Sequence, residues 1–98
     1  MKPSEIIRQG WIQGGLACDN QGNSADPYSP SAVKFCVLGA FLRAFGGNSS
    51  SYQNAISVTV KALPSWVCGP GVYRIEKWND HPSQTQETVA AFLEGLGL

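Results

Sequence analysis

Apolar side chains recur every three or four residues over 33–45, which is the spacing of one face of an α-helix. The pattern follows Ser29-Pro30, a capping residue with proline at the first helical position, and it stops at Gly46-Gly47. We therefore predict a helix over 30–45 and place it at the centre of the core. Cys36 then lies in its second turn, on the apolar face.

A second apolar stripe near the amino end predicts a helix over 5–18, with Ser4 as its N-cap. Three glycines interrupt this stripe, and each weakens a helix by about 1 kcal/mol relative to alanine. Glycine at such positions usually allows another backbone to come close. We expect a close approach at Gly10, Gly14 and Gly15.

The rest of the chain divides into shorter segments. Residues 19–29 are rich in turn-forming side chains and predict a polar loop. Residues 52–63 fit both a strand and a helix; helix is favoured because twelve residues are long for a strand and Pro64 follows. The weak alternation over 72–78 predicts a short strand or an extended segment.

A last helix is expected after Ser83, which with Gln86 has the spacing of a capping box. Its apolar face consists of Val89, Phe92, Leu93 and Leu96. The predicted fold is mainly α: one domain over residues 1–98, with three to four short helices and a short β or extended segment near 72–78.

Charge is sparse and balanced, with seven Lys and Arg against seven Asp and Glu in 98 residues. A nucleic-acid-binding domain usually has a basic surface, and a membrane-surface protein usually has a polybasic segment, so we expect neither nucleic acid nor membrane as a partner. A net charge near zero favours association between proteins. We therefore expect a protein partner or a homodimer.

Three cysteines and one histidine are the residues with the most distinctive chemistry. Without an export signal we expect a cytoplasmic protein with three free thiols, two of them buried. Zinc binding would need Cys18, Cys36, Cys68 and His81, which lack any Cys-x-x-Cys pair, and the acidic loop over 19–29 lacks the calcium-loop pattern. We expect no metal and no cofactor.

Cys36 is the one candidate nucleophile. A catalytic cysteine needs a lowered pKa and a neighbouring base, and His81 is the only histidine available. Asn79 or Asp80 could then orient the imidazole ring. The alternative is a buried structural thiol, which is the more common role of a cysteine on an apolar helix face.

Aromatic residues supply the candidate binding surface. Tyrosine and tryptophan are enriched at protein interfaces, where their rings anchor contacts. We assign Trp11 and Trp78 to the core. Four aromatic residues beside predicted loops are the interface candidates: Tyr28, Tyr52, Trp66 and Tyr73.

Several short motifs together carry a family resemblance. They are Trp11-x-Gln13-Gly14, Ala17-x-Asp19-x-x-Gly22, Phe35-Cys36-x-Leu38-Gly39-Ala40, and Trp78-Asn79-Asp80 with Thr85 and Val89. With these motifs the chain resembles, from about Ile6 to Leu93, a small uncharacterised domain family of bacteria and their phages. The resemblance implies a mostly helical single domain and no particular activity. One departure is Gln84, near which the family pattern would have a basic residue.

The sequence favours a small non-enzymatic interaction protein, an accessory or inhibitor protein of a bacterium or phage that binds another protein. The alternative is a small cysteine-dependent hydrolase that uses Cys36 with His81. A third hypothesis is ligand binding in a pocket between the first two predicted helices.

Overall fold

The computed structural model of the chain describes all 98 residues, Met1–Leu98. In chain order its elements are α1 Pro3–Gln9, β1 Ala17–Cys18, β2 Lys34–Phe35, α2 Val37–Phe45, α3 Ser50–Ala62, α4 Gly71–Asn79 and α5 Gln86–Gly95. The mainly helical fold is confirmed, with five helices where three to four were predicted. The two short strands pair antiparallel and were not predicted.

The first helix is much shorter than predicted. α1 ends at Gln9, so the range 5–18 is wrong over most of its length. Gly10 is extended, and its carbonyl accepts a hydrogen bond from Phe35 N–H at 3.0 Å. A Cβ atom at Gly10 would lie 2.2 Å from the Val33 carbonyl oxygen. The chain therefore leaves the helix at Gly10 to lie against the β2 segment.

Ser4 lies inside the first turn of α1 and is not its N-cap, which is Lys2. The backbone N–H of Lys2 donates to the Glu5 carboxylate at 2.8 Å. The Ser4 hydroxyl instead donates to the Leu98 carbonyl at 3.1 Å. The polar side chain thus joins the two ends of the described chain, a contact that local spacing does not encode.

The central helix also begins later than predicted. Residues 30–36 form a turn and β2, because backbone N–H groups of this segment donate to carbonyls of residues 16–18. α2 therefore starts at Val37, and Cys36 is its N-cap rather than a second-turn residue. The predicted end is confirmed: Gly46 follows the helix with a φ of 76°, a conformation that favours glycine.

Helix formation over 52–63 is confirmed by α3, Ser50–Ala62. The hydroxyl of Ser49 accepts a hydrogen bond from Tyr52 N–H at 3.1 Å and so caps the helix. Pro64 follows the last turn, as expected for a residue that lacks a backbone donor. The alternative of a strand in this segment is wrong.

The short strand or extended segment predicted over 72–78 is also wrong, because this stretch is the helix α4. Ile75 and Trp78 are buried three residues apart, which is helical rather than strand spacing. α5 follows, but its N-cap is Thr85, whose hydroxyl accepts from Thr88 N–H at 3.1 Å. The predicted cap at Ser83 is wrong.

The helices surround one hydrophobic core. α1 packs against α2 and α5, and α3 packs against α4. The largest fully buried side chains include Ile7, Phe41, Ile75 and Leu93, from four of the five helices. None of the helices has both the length and the apolar character required to cross a membrane.

Candidate functional site

Segments from three of the motifs that carry the family resemblance meet at the side chain of Asn79, which is fully buried. Its carbonyl oxygen accepts from Trp11 Nε1 at 2.9 Å and from Val37 N–H at 3.2 Å. Its amide nitrogen donates to the Ile12 carbonyl at 3.1 Å and to Asp80 Oδ1 at 2.8 Å. Both donors and both acceptor positions of the carboxamide are therefore used.

Gln13 and Asp80 extend this network to the surface. Gln13 Nε2 donates to the carbonyls of Asn79 and His81, at 3.1 and 3.0 Å. Asp80 Oδ1 also accepts from Gly14 N–H at 3.1 Å. The Asp80 carboxylate thus accepts hydrogen bonds from the backbone of Gly14, which is distant in the sequence, and from the side chain of its neighbour Asn79. The Trp78-Asn79-Asp80 motif fastens the loop after α1 to the end of α4.

A small cleft of about 170 Å³ lies beside this network. Its walls are the backbone at Gly14-Gly15 with Leu16, and the side chains of Cys36, Glu76 and Asp80. Glu76 and Asp80 are four residues apart at the carboxyl end of α4, so both carboxylates lie on one side of it. The cleft combines a buried thiol with two acids and has no basic side chain in its walls.

The surroundings of Cys36 disfavour a thiolate. The pKa of the thiol is raised to about 11, chiefly by burial, and the negative charges of Asp80 and Glu76 act in the same direction. Hydrogen bonds from backbone N–H groups at the start of α2 act in the opposite direction, among them the one from Gly39 N–H to Cys36 Sγ at 3.4 Å. At neutral pH the thiol therefore stays protonated, and its sulfur serves as the helix cap.

His81 makes its contacts elsewhere. Its ring packs on Trp66 with 4.8 Å between the centroids, and its Nδ1 accepts from Ser83 N–H at 3.1 Å. The Ser83 hydroxyl also lies 2.7 Å from Nδ1. His81 forms no hydrogen bond with Cys36, so the structure does not bring the predicted nucleophile and base together.

The remaining thiols and acids are dispersed. Cys18 and Cys36 are buried and Cys68 is exposed, and all three are free, as predicted. No three His, Cys, Asp or Glu side chains gather in a way that could hold a metal ion. Asp19 accepts from the N–H groups of Gln21 and Asn23, so its carboxylate stabilises its own turn.

Two of the four aromatic candidates lie near the carboxyl end of α2. The Tyr28 hydroxyl accepts from Gly47 N–H at 3.0 Å, while more than half of its side-chain surface is exposed. Tyr52 is half-buried against the core. Burial raises the pKa of its hydroxyl, with a smaller contribution from Tyr28. Both tyrosines thus have structural contacts of their own.

The other two candidates lie where the loop after α3 meets α4. Trp66 is 52% exposed and Tyr73 is 58% exposed, and Val72 beside Tyr73 is also exposed. We call Trp66, Val72 and Tyr73 the 66–73 surface. Val72 is not among the predicted interface residues, because that prediction considered only aromatic side chains.

The loop that carries Trp66 is firmly attached to α4. Arg74 Nε donates to the Val67 carbonyl at 2.9 Å, and Lys77 Nζ donates to the Cys68 carbonyl at 3.0 Å. The Val67 side chain is buried in the core. Exposed apolar rings are therefore displayed from a fixed backbone, and the exposed thiol of Cys68 lies in the same loop.

Sequence comparison adds the family. Residues 4–96 match DUF6197, a family of unknown function. The chain belongs to this family. No curated protein and no solved structure matches the chain. The match covers nearly the whole domain, and it includes both the Asn79 network and the 66–73 surface.

Proposed function

We propose that this DUF6197 domain is a non-enzymatic interaction protein that binds another protein through the 66–73 surface. The observation that carries the proposal is the exposure of Trp66, Val72 and Tyr73 on a loop and helix that are fastened to each other. Exposed tryptophan and tyrosine side chains are the ones most often used as anchors in protein interfaces.

The fixed backbone that carries Trp66 favours a role in protein binding. Tryptophan and tyrosine often dominate the binding energy of interfaces, with losses of about 2 kcal/mol or more on truncation at the strongest positions. Binding also costs free energy when flexible segments must be ordered. Because Arg74 and Lys77 already hold the loop backbone, that cost is reduced for Trp66.

The resemblance to a domain family of bacteria and phages suggests where the partner would be found. We propose an accessory or inhibitor role toward a protein of the bacterial cell. The balanced charge is consistent with a contact built on aromatic side chains rather than on ion pairs.

The test compares capture by three forms of the protein in a lysate of the bacterium that carries the gene or hosts the phage. The forms are wild type, Trp66→Ala/Tyr73→Ala, and Tyr28→Ala as a control that removes an equally exposed ring elsewhere. We expect wild type and Tyr28→Ala to enrich the same protein and the double variant to lose it. The purified partner should then bind with an affinity that the double variant lowers at least tenfold.

Two outcomes would contradict the proposal. One is a partner that the double variant retains while Tyr28→Ala loses it, which would place the interface near α2. The other is a folded wild-type protein, checked by circular dichroism, with no partner that directly binds it and no self-association in light scattering. Self-association that Tyr73→Ala abolishes would identify the partner as a second copy of the chain.

A further inference from the structure

A cavity of about 480 Å³ lies between α1, β2 and α2 and opens to solvent. Six of the eight residues that line it are hydrophobic, with Ile6, Val33, Phe35 and Ala44 among them. This volume falls within the range of about 300–1,000 Å³ that is typical of small-molecule sites, which are mostly apolar with a few polar groups. The cavity shares no residue with the 66–73 surface.

Arg43 is the only charged side chain in the lining, and its guanidinium is held in place. Nη1 donates to the carbonyls of Pro27 and Ser29, at 2.9 and 2.6 Å, and the group lies over the Phe35 ring at 5.6 Å from the centroid. Nε and Nη2 donate to no acceptor within the chain. The Arg43 guanidinium is thus held through Nη1, while Nε and Nη2 remain free to donate to a ligand.

The remaining polar side chain of the lining is Gln9 at the end of α1, and its carboxamide forms no hydrogen bond within the chain. No carboxylate lines the cavity to neutralise Arg43. Since a guanidinium binds a carboxylate through paired N–H donors, the anionic partner it lacks here would have to come from a ligand.

We propose that this cavity binds a small organic carboxylate with an apolar body, the carboxylate on Arg43 and the apolar body against Ile6, Phe35 and Ala44. Charge complementarity selects the head group, because Arg43 stands without an acidic neighbour in the lining. The apolar walls select an aromatic or aliphatic body over a polar one. The proposal is independent of the protein-binding role.

The test is an NMR titration of the ¹⁵N-labelled protein with three probes that share one apolar body: phenylacetate, 2-phenylethanol and phenethylammonium. We expect phenylacetate to shift the amide signals around Ile6, Phe35 and Ala44. Its Kd should be about tenfold or more below that of the alcohol, since a hydrogen bond to a charged group contributes more than a neutral one. The ammonium should bind most weakly.

Two variants locate the site. Ala44→Leu fills the cavity from α2 without removing Arg43, and we expect it to raise the phenylacetate Kd at least tenfold. Ala91→Leu makes the same change at an exposed position of α5 and should leave the Kd unchanged. Arg43→Lys keeps the charge but loses the paired donors, and it should reduce the preference for phenylacetate over the alcohol.

The proposal is overturned if the three probes bind equally, if shifts map outside the cavity, or if no shift appears at millimolar phenylacetate. It is equally overturned if Ala44→Leu and Ala91→Leu have the same affinity. A native spectrum of each variant without probe shows that the fold is retained, so loss of binding then reports on the cavity itself.

Discussion

Asn79 shows how one buried polar side chain can organise distant parts of this chain. Its carboxamide joins Trp11, Ile12 and Val37, which belong to segments that are far from α4 in the sequence. Buried polar groups are costly unless they are paired, and here every group of the carboxamide is paired. The Trp78-Asn79-Asp80 motif therefore specifies contacts between segments that are distant in the sequence.

Asn79→Ala should lower the free energy of unfolding by about 2–4 kcal/mol, because it leaves two N–H donors and one carbonyl without partners in the core. Asn20→Ala is the control, since Asn20 is exposed and its side chain makes no hydrogen bond. Urea unfolding followed by circular dichroism measures both variants. Equal stability of the two would contradict the structural role of Asn79.

The thiols should differ widely in reactivity. With its pKa raised to about 11 by burial, Cys36 should react slowly with a maleimide at pH 7.5, and buried Cys18 should also be protected. Exposed Cys68 should react first. Mass spectrometry after peptide digestion measures each rate, and all three sites should react in denaturant.

The same labelling experiment tests the hydrolase hypothesis. His81→Ala should leave the rate at Cys36 unchanged, because His81 forms no hydrogen bond with that thiol. Rapid labelling of Cys36 that His81→Ala suppresses would instead demonstrate an activated nucleophile.

Residue types could be recognised from sequence, but their neighbours could not. The three free thiols and the burial of Trp78 follow from general preferences. The protonated state of Cys36 follows chiefly from burial, and the charges of Asp80 and Glu76, which only the packing of α4 against α2 brings near, act in the same direction. The hydrogen bonds of Asn79 likewise depend on contacts between distant segments.

At the scale of elements, close backbone packing at Gly39 fixes how α2 meets β1. A Cβ atom on Gly39 would lie 1.9 Å from the Leu16 carbonyl oxygen, which already accepts from Cys36 N–H. The first turn of α2 and this backbone can touch only because Gly39 has no side chain. The sequence analysis predicted a close approach of another backbone at Gly10, Gly14 and Gly15. Of these three glycines only Gly10 has one.

Gly39→Ala should destabilise the protein by about 1–3 kcal/mol, because the overlap with backbone outweighs the gain in helix propensity. Gly95→Ala is the matched control: it also changes a helical glycine, but the added Cβ meets nothing within 4 Å. That variant should be neutral or stabilised by up to about 1 kcal/mol. Thermal unfolding compares them, and a stable Gly39→Ala would refute the close contact.

Helix prediction succeeded where local signals and tertiary contacts agree. α3 has a serine cap and a following proline, so the sequence located it well. It failed at the end of α1 and at the start of α2, where pairing with β1 and β2 replaces helical turns. For α4, the buried positions Ile75, Trp78 and Asn79 have helical spacing, a signal that the weak alternation over 72–78 obscured.

At the scale of the whole molecule, Arg8 links the first and last helices. Its guanidinium forms salt bridges with Glu87 and Glu94, both on α5, and the Nη2–Oε1 distance to Glu94 is 2.8 Å. Hydrogen bonds from Arg8 lower the pKa of each carboxyl group below its usual value of 4.5. These two exposed salt bridges therefore connect α1 to α5 at the surface.

The stability that Arg8 contributes should depend on pH in the acid range. Because the native pKa values of Glu87 and Glu94 lie below the unfolded value, the contribution is fully present above about pH 4.5 and is lost as pH falls through the native values. Arg8→Met should therefore lower Tm slightly at pH 6, and this Tm difference from wild type should shrink as the pH falls toward 2. The carboxylates of Glu87 and Glu94 are exposed, so added salt should also reduce the Tm difference between Arg8→Met and wild type.

Lys61→Met provides the matched control, since Lys61 is exposed on α3 and forms no salt bridge. The Tm difference between Lys61→Met and wild type should not change between pH 6 and pH 2. A Tm difference for Arg8→Met that stays constant over this range would contradict the assignment of the salt bridges.

The sequence by itself determined the helical class, the positions of α3 and of the end of α2, and the scarcity of charge, because periodicity, caps and composition are local properties. Only the tertiary structure decided where α1 ends, that Cys36 caps a helix, and which aromatic rings stay exposed. Each of these depends on a contact between distant residues, such as Phe35 with Gly10 or Asn79 with Trp11. Such contacts are energetically decisive, yet nothing in the spacing of either segment records its partner.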